Sequence, residues 1–129
     1  MTWVREVVAY IATLPRLGKF ILGMQLYAMD WPNVDGSANP ATALEYQDVM
    51  NLAASEGVTP TYDSTAEAWT FSYTDAANVP HTVWYTDAST EADRISLARS
   101  SGLGGVGVWR LGREDQRLWG NPDISSPWS

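Results

Sequence analysis

Two apolar runs constrain this chain more than anything else in it: KFILGMQLYAMDW (19–31) and GLGGVGVW (102–109). The first is apolar at nearly every position over the length of a strand, which predicts a strand buried on both faces, as in a parallel sheet. The second predicts another buried strand. It is dense in glycine, which weakens a strand by adding backbone entropy and offering no side chain to pack, and it ends on the indole of Trp109. A strand of this kind needs a reason, either in close packing or in what lies against it.

The segments between and around these runs supply helices. WVREVVAYIATL (3–14) has apolar side chains at helical spacing, and Pro15 and Gly18 stop it. After a turn-rich loop, PNVDGSANPA (32–41), Thr42 with Glu45 reads as a capping box opening a helix to Glu56, and Gly57 is its C-terminal signal. Residues 59–87 alternate apolar and polar positions and are rich in Thr, Tyr and Trp, the pattern of two or three short antiparallel strands. Alternation sends Trp69, Phe71 and Tyr73 to one face, where they form a small core of their own. Ser89 or Thr90 caps a further helix, Glu91 to Ser101, with Ile95, Leu97 and Ala98 turned inward. EDQRLW (114–119) offers a last helical turn, and residues 120–129 read as a loose tail.

With the antiparallel segment set aside, the order is αβαβα, the repeating unit of an α/β fold. A (β/α)8 barrel takes about 250 residues, and this chain of 129 holds two of its β/α units. The expectation is one domain over 1–129 of class α/β: a partial barrel with a small antiparallel α+β insertion at about 36–88.

Composition narrows the function classes. Fifteen acidic residues against eight basic ones give a net charge of −7, which disfavours a phosphate backbone as partner. No run approaches the roughly 20 apolar residues of a membrane span, and MTWVREVV lacks a signal-peptide core. With no cysteine, disulfide scaffolds and thiolate metal sites are excluded. His81, the single histidine, has no second ligand placed for a metal, and the glycines of GLGGVGVW precede a strand rather than opening a phosphate-binding helix. No cofactor is expected. Seven tryptophans against two phenylalanines point instead to a core and to sugar stacking.

Several local patterns coincide at this point. LGMQLYAMDW (22–31), PTYDSTAEAWTFSYTD (60–75), HTVWYTDASTEADRISLARSSGLGGVGVWRLG (81–112) and the closing RLW resemble the C-terminal part of a glycoside hydrolase family 18 domain, over about residues 5–119. The resemblance is to the spore-cortex and cell-wall type, often joined to LysM modules. It implies that the Tyr27 strand is the seventh of a barrel, that the antiparallel module follows it, and that the Trp109 strand is the eighth. It implies hydrolysis of β-1,4 links next to N-acetylglucosamine, with the substrate's acetamido group as nucleophile, and an extracellular or cell-wall setting. The family's D-x-x-D-x-D-x-E run, which carries the acid, is absent here, as is its Met-x-Tyr-Asp pattern.

The resemblance assigns Trp109 as the floor under the sugar at the cleavage point and Tyr27 as a cleft-facing tyrosine. Asp30 and Trp31 end the same strand, at the face where barrel enzymes keep their chemistry. Met29 stands where many chitinases carry a cationic or polar residue. Asp30 and Glu114 are the one carboxylate pair that falls at one rim, with nothing in the sequence to raise either pKa. Glu114 and Asp115 are better read as capping residues. No catalytic residue is therefore expected, and substrate contacts are expected at Trp109, Tyr27, Asp30 and Trp31. The expected partner is an amino-sugar polysaccharide, chitin or peptidoglycan. A non-catalytic sugar-binding module is the alternative. So is a structural half-barrel that associates with the missing barrel portion or with a second copy of itself, because two parallel strands alone leave open edges and apolar faces.

Overall fold

The run from Lys19 to Trp31 is divided between two sheets. In the computed structural model, which describes residues 3–34, 40–125 and 128, strand β1 (Ile21–Gln25) pairs in parallel with the strand at Gly105–Trp109. The chain breaks at Leu26 and Tyr27, and β2 (Ala28–Pro32) then joins an antiparallel sheet. The inward alternation runs unbroken through this break, with Leu22, Met24, Leu26, Ala28 and Asp30 buried, and the pattern looks continuous because apolar side chains such as Ile21, Tyr27, Met29 and Trp31 also occupy the other face. It does not come from one strand buried on both faces. Along β1 every second side chain is buried, Leu22 and Met24, while Ile21 is 63% exposed.

Around this break lie helix α1 (Trp3–Ile11), β3 (Thr42–Leu44), α2 (Tyr46–Ser55), β4 (Thr61–Asp63), β5 (Ala68–Thr74), β6 (Pro80–Tyr85), α3 (Ala88–Ser100) and β7 (Gly105–Trp109). The antiparallel sheet has the order β3-β2-β6-β5-β4 and the parallel one is the pair β1-β7. Where two or three strands are expected within 59–87, three form, as β4, β5 and β6. The second sheet also takes in β2 and β3, so its strands run from Ala28 to Tyr85. Residues 35–39 of the loop after β2 lie outside the described residues, as do 126, 127 and 129 of the tail.

Helix starts differ from expectation in an instructive way. Thr42 is not an N-cap, because it is drawn into β3 against Asp30. Helix α2 begins at Tyr46 behind Glu45, which makes no side-chain cap. Helix α3 is capped by Asp87 rather than by Ser89 or Thr90. The Asp87 carboxylate accepts from the Thr90 backbone N–H at 2.9 Å and from its hydroxyl at 2.7 Å, so Thr90 is the cap's partner. Both helices end in a Schellman turn. Gly57 (φ 65°) and Gly102 (φ 78°) take the left-handed conformation, while Val58 N–H donates to the Ala53 carbonyl and Leu103 N–H to that of Ala98, each at 3.0 Å.

Two cores result. Val8, Leu22, Met24, Leu26, Ile95, Ala98, Leu103 and Leu118 form the one under the parallel pair. Ala28, Val49, Ala53, Phe71, Val83 and Tyr85 form the other, between the antiparallel sheet and α2. As expected, Trp69, Phe71 and Tyr73 share the inner face; Phe71 is buried, and Trp69 lies parallel to Tyr85 with centroids 6.5 Å apart. β7 is less buried than expected, since only one of its faces meets the core. The tail is not wholly loose: Pro122–Ser125 is a helical turn, and the Trp128 indole donates to the Leu103 carbonyl at 2.8 Å.

Among the glycines of the second run, Gly104 is the one held by close approach. A Cβ there would sit 2.1 Å from the Gly18 carbonyl oxygen, and its N–H donates to Phe20 at 2.8 Å. Gly23 and Gly107 are partners across the parallel pair, on the exposed face that Trp109 also joins, and no heavy atom stands within 4 Å of where a Cβ at Gly23 would be.

Candidate functional site

The ends of β1 and β7 are tied together by Leu26 N–H, which donates to the Trp109 carbonyl at 2.7 Å. This bond fixes where the chain leaves each strand, and so brings Tyr27 and Trp109 to one cleft. Its walls are Tyr27, Met29, Ala43, Trp109, Arg110 and Arg113, around about 370 Å³. The Trp109 indole is 72% exposed, and the Trp109–Arg110 peptide bond is cis. An indole this bare at a concave surface offers a flat apolar face to a ligand.

Of the four residues expected to touch substrate, Tyr27 and Trp109 are thus brought together. Trp31 lies on the same face of β2 as Met29, one pleat further from the cleft, and is half exposed. Asp30 has to be corrected. Strand alternation turns it to the opposite face, into the core of the antiparallel sheet, where it is 7% exposed. Its two carboxylate oxygens accept from the Tyr73 hydroxyl at 2.7 Å and pair with His81 Nδ1 at 2.8 Å. The His81 ring stacks on Tyr73 at 4.8 Å and places Nε2 3.4 Å from Asp75. The lone histidine is structural, at the centre of a buried polar network. Burial, with the bond to Asp30, pushes the Tyr73 hydroxyl well above the usual tyrosine range.

The rim pair of Asp30 and Glu114 does not form either, since each carboxylate is committed elsewhere. Glu114 accepts from Gly112 N–H at 2.7 Å, Trp119 Nε1 at 2.8 Å and Gln116 Nε2 at 2.9 Å. Burial pushes its pKa up, but these donors outweigh it and hold the carboxyl below its ordinary value. Asp115 does act as a cap. It accepts from Arg117 N–H and holds the Arg117 guanidinium, with Oδ2 2.6 Å from Nη2, and that oxygen also accepts from Ala88 N–H at the start of α3. Burial is again outweighed, by the bonds from Arg117 and Ala88, so the Asp115 pKa is lowered.

Sequence reasoning missed three features of this region. Glu91, on α3, is buried; it accepts from the Thr86 hydroxyl through Oε1, and its Oε2 has no partner. Burial pushes its pKa up. Arg110 and Arg113 enter the cleft from the loop after β7, so cations stand across from Met29, where the resemblance would have put one. Neither forms an ion pair among the described residues, and the Arg113 Nε is buried without a hydrogen-bond partner. The R-x-x-R spacing directly after a strand that ends on Trp109 was the available signal. Among the described residues, no group of His, Asp and Glu is arranged to hold a metal.

Comparison with known proteins shows the family and the fold. Residues 2–114 match the profile of the Glycosyl hydrolases family 18. The chain is 35% identical over 118 residues to the cortical fragment-lytic enzyme of Bacillus subtilis (strain 168), covering 90% of this chain and 27% of that enzyme. Its fold superposes on the crystal structure of the Bacillus cereus spore cortex-lytic enzyme SleL with a TM-score of 0.82 at 32% identity, over 90% of this chain and 27% of the other. A chitinase from Chromobacterium violaceum ATCC 12472 gives 0.77 at 29% identity, over 93% and 37%. The chain spans about a quarter of the length of the curated relatives it matches.

Proposed function

The chain belongs to the glycosyl hydrolases family 18, and from that premise we propose that it is the closing wall of a (β/α)8 glycosidase barrel. In this reading β1 and β7 are the last two barrel strands, and the antiparallel sheet with α2 is the insertion between them. The wall holds a β-1,4-linked polymer containing N-acetylglucosamine, as chitin and peptidoglycan do. Trp109 is the floor on which a pyranose ring stacks, Tyr27 turns its hydroxyl to the sugar, and Trp31 extends the surface along the antiparallel sheet.

The observation that carries this reading is the bare indole of Trp109 beside Tyr27 at a cleft of sugar size. What distinguishes this indole from other exposed aromatics such as Trp3 is that it lines a concave surface together with Tyr27. The unpaired edge of β1 and the exposed side chain of Ile21 support the barrel half of the reading. They are the surfaces that further barrel strands, or a second copy of the chain, would cover.

This wall lacks the family's acid, so the chain alone binds without cleaving. Adding N-acetylglucosamine oligomers to the chain should change its tryptophan fluorescence, and Trp109→Ala should abolish most of the change. A silent titration overturns the sugar-binding reading. Release of reducing ends from these oligomers or from peptidoglycan, abolished by Glu114→Gln, overturns the expected lack of catalysis.

A further inference from the structure

The inner face of the antiparallel sheet ends, at its β4 edge, in two aromatic rings. Met29, which lines the Trp109 cleft, is in register with Trp84, and Trp84 with Thr70. Cross-strand partners share a face, so Trp69, one residue along, stands on the face turned away from that cleft. Register carries this second face on to Tyr62, the partner of Trp69 on β4. Tyr62 is 44% exposed, and its ring stands at 63° to the Trp69 indole with centroids 5.4 Å apart. The two rings form a corner. The start of α3 closes it into a cavity of about 310 Å³, whose other walls are Asp87, Ser89, Thr90 and Asp93.

Both aspartates of this cavity are acidic walls with no cation set against them. Asp87 caps α3 through Oδ1, and Asp93 forms no ion pair among the described residues. Arg94, the next residue, is committed to Glu91, with Nη1 3.5 Å from Oε1. Burial, followed by the charges of Glu67, Asp93 and Asp87, pushes the Tyr62 hydroxyl above its ordinary value, against the opposing pull of Arg94. The ring therefore stays neutral in a negative field. Carboxylates alone would make only a solvated acidic surface. Beside two aromatic rings they gain a definite complement, an organic cation: its aliphatic stem lies on the rings, and its charge meets their quadrupoles and the carboxylates together. An anion would be repelled here, and a neutral apolar ligand would gain the rings but not the charges.

We infer that this cavity binds a primary alkylammonium group, as a lysine side chain or a free aliphatic amine carries, with the stem against Tyr62 and Trp69 and the ammonium donating to Asp87 and Asp93. The site is on the opposite face of the sheet from the sugar cleft, so it stands or falls independently of the sugar-binding reading.

The test is an NMR titration of the full chain that follows the indole N–H of Trp69 and the amides of Tyr62 and Asp93. The probes are n-pentylammonium, its neutral counterpart 1-pentanol, and Nα-acetyl-lysine methylamide. Pentylammonium should move these resonances and leave that of the Trp109 indole in place. It should bind about tenfold more tightly than pentanol at low salt, and the preference should shrink as salt is raised. D93N, at an exposed position that leaves the α3 cap intact, should cut the preference about threefold. Y62L should weaken both ligands, because it removes one wall. Binding of the lysine derivative at the strength of pentylammonium assigns the site to a peptide-borne lysine, and much weaker binding assigns it to free amines; both results uphold the ammonium assignment. Equal affinity for pentylammonium and pentanol overturns the inference. So does a preference that D93N leaves intact, or a response confined to Trp109.

Discussion

The two sheets of this molecule have solved the same problem to different degrees. The antiparallel sheet is finished: five strands, one face closed by α2, and a polar network of Asp30, Tyr73 and His81 satisfied within its core. The parallel pair is unfinished. Leu22 and Met24 pack on α3 and α1, but the other face carries Ile21, Gly23, Gly107 and Trp109 toward solvent, and among the described residues no further strand pairs with either outer edge. Parallel strands are normally covered on both faces. Local completeness therefore need not coincide with the part of a fold that carries function. Here the side chains proposed to meet the sugar, Trp109 and Tyr27, stand at the end of the less complete sheet, and the loop that follows Trp109 is steadied by α2: Tyr46 N–H donates to the Arg113 carbonyl, and the Arg117 guanidinium donates to the Tyr46 hydroxyl.

The largest expected effect breaks the comparison at the finished sheet. Phe71→Ala removes a buried ring packed edge-on to Tyr85 at 6.5 Å and should cost about 3–5 kcal/mol in urea unfolding. Hydrogen exchange gives the sharper reading. The amide of Val83 should lose far more protection than that of Met24, because the two lie in separate cores. Equal loss at both would show that the sheets unfold as one unit, and the contrast drawn above would then be only geometric. On the parallel side, Gly104→Ala drives a methyl group against the Gly18 carbonyl and should cost about 2–3 kcal/mol. A variant of unchanged stability would mean that the close approach is absent in solution.

Next in size is the tie between the start of α3 and the turn at Asp115. Asp115→Ala removes the acceptor of Ala88 N–H and of the Arg117 guanidinium and should cost about 1–2 kcal/mol at neutral pH. Asp115 has a pKa below its unfolded value, so its contribution is fully present above about pH 4 and is lost as pH falls through the lowered folded value. The stability gap between wild type and variant should therefore close in acid. Glu114 behaves in the same sense. Glu91 behaves in the opposite sense, because burial raises its pKa; protonation as pH falls relieves an unfavourable buried charge. Glu91→Gln should thus be at least as stable as wild type at neutral pH, and the difference should vanish in acid. Chemical unfolding at a series of pH values checks both. A gap for Asp115→Ala that widens in acid would contradict the assignment.

Where the sequence was legible, a short-range rule decided the structure. Gly57 and Gly102 end their helices because left-handed backbone suits glycine, and Trp69, Phe71 and Tyr73 share a face because strands alternate. The break at Leu26–Tyr27 was not legible. Both flanking strands are apolar, and only their different partners, β7 for one and β6 for the other, separate them. The same ambiguity misplaced Asp30: its position beside Trp31 at the end of an apolar run looked like a rim, whereas phase within β2 buries it. Thr42 was misread because a capping-box pattern is local and pairing with Asp30 is not. Trp109 and Tyr27 are expected only through resemblance to a family, and the structure brings both to one cleft; Arg110 and Arg113, in the loop after β7, line the same cleft with no such pointer.

The smallest expected effect is the most telling about the unfinished sheet. Gly23 sits mid-strand on the bare face, and a Cβ there meets nothing within 4 Å. Glycine in a strand interior costs roughly 0.5–1 kcal/mol relative to alanine, so Gly23→Ala should stabilise the chain by about that amount, opposite in sign to Gly104→Ala. Ile21→Ala, on the same face and mostly in water, should stay within about 0.5 kcal/mol. Both expectations hold only while that face remains uncovered. If Gly23→Ala instead destabilises by more than about 1 kcal/mol, a surface packs there in solution. Sedimentation of wild type and variant at two concentrations then identifies it: a second copy of the chain gives a concentration-dependent mass that the variant lowers, whereas a monomeric wild type rules that copy out. An uncovered face in the chain alone is what the barrel reading requires, because those are the positions its other strands would occupy.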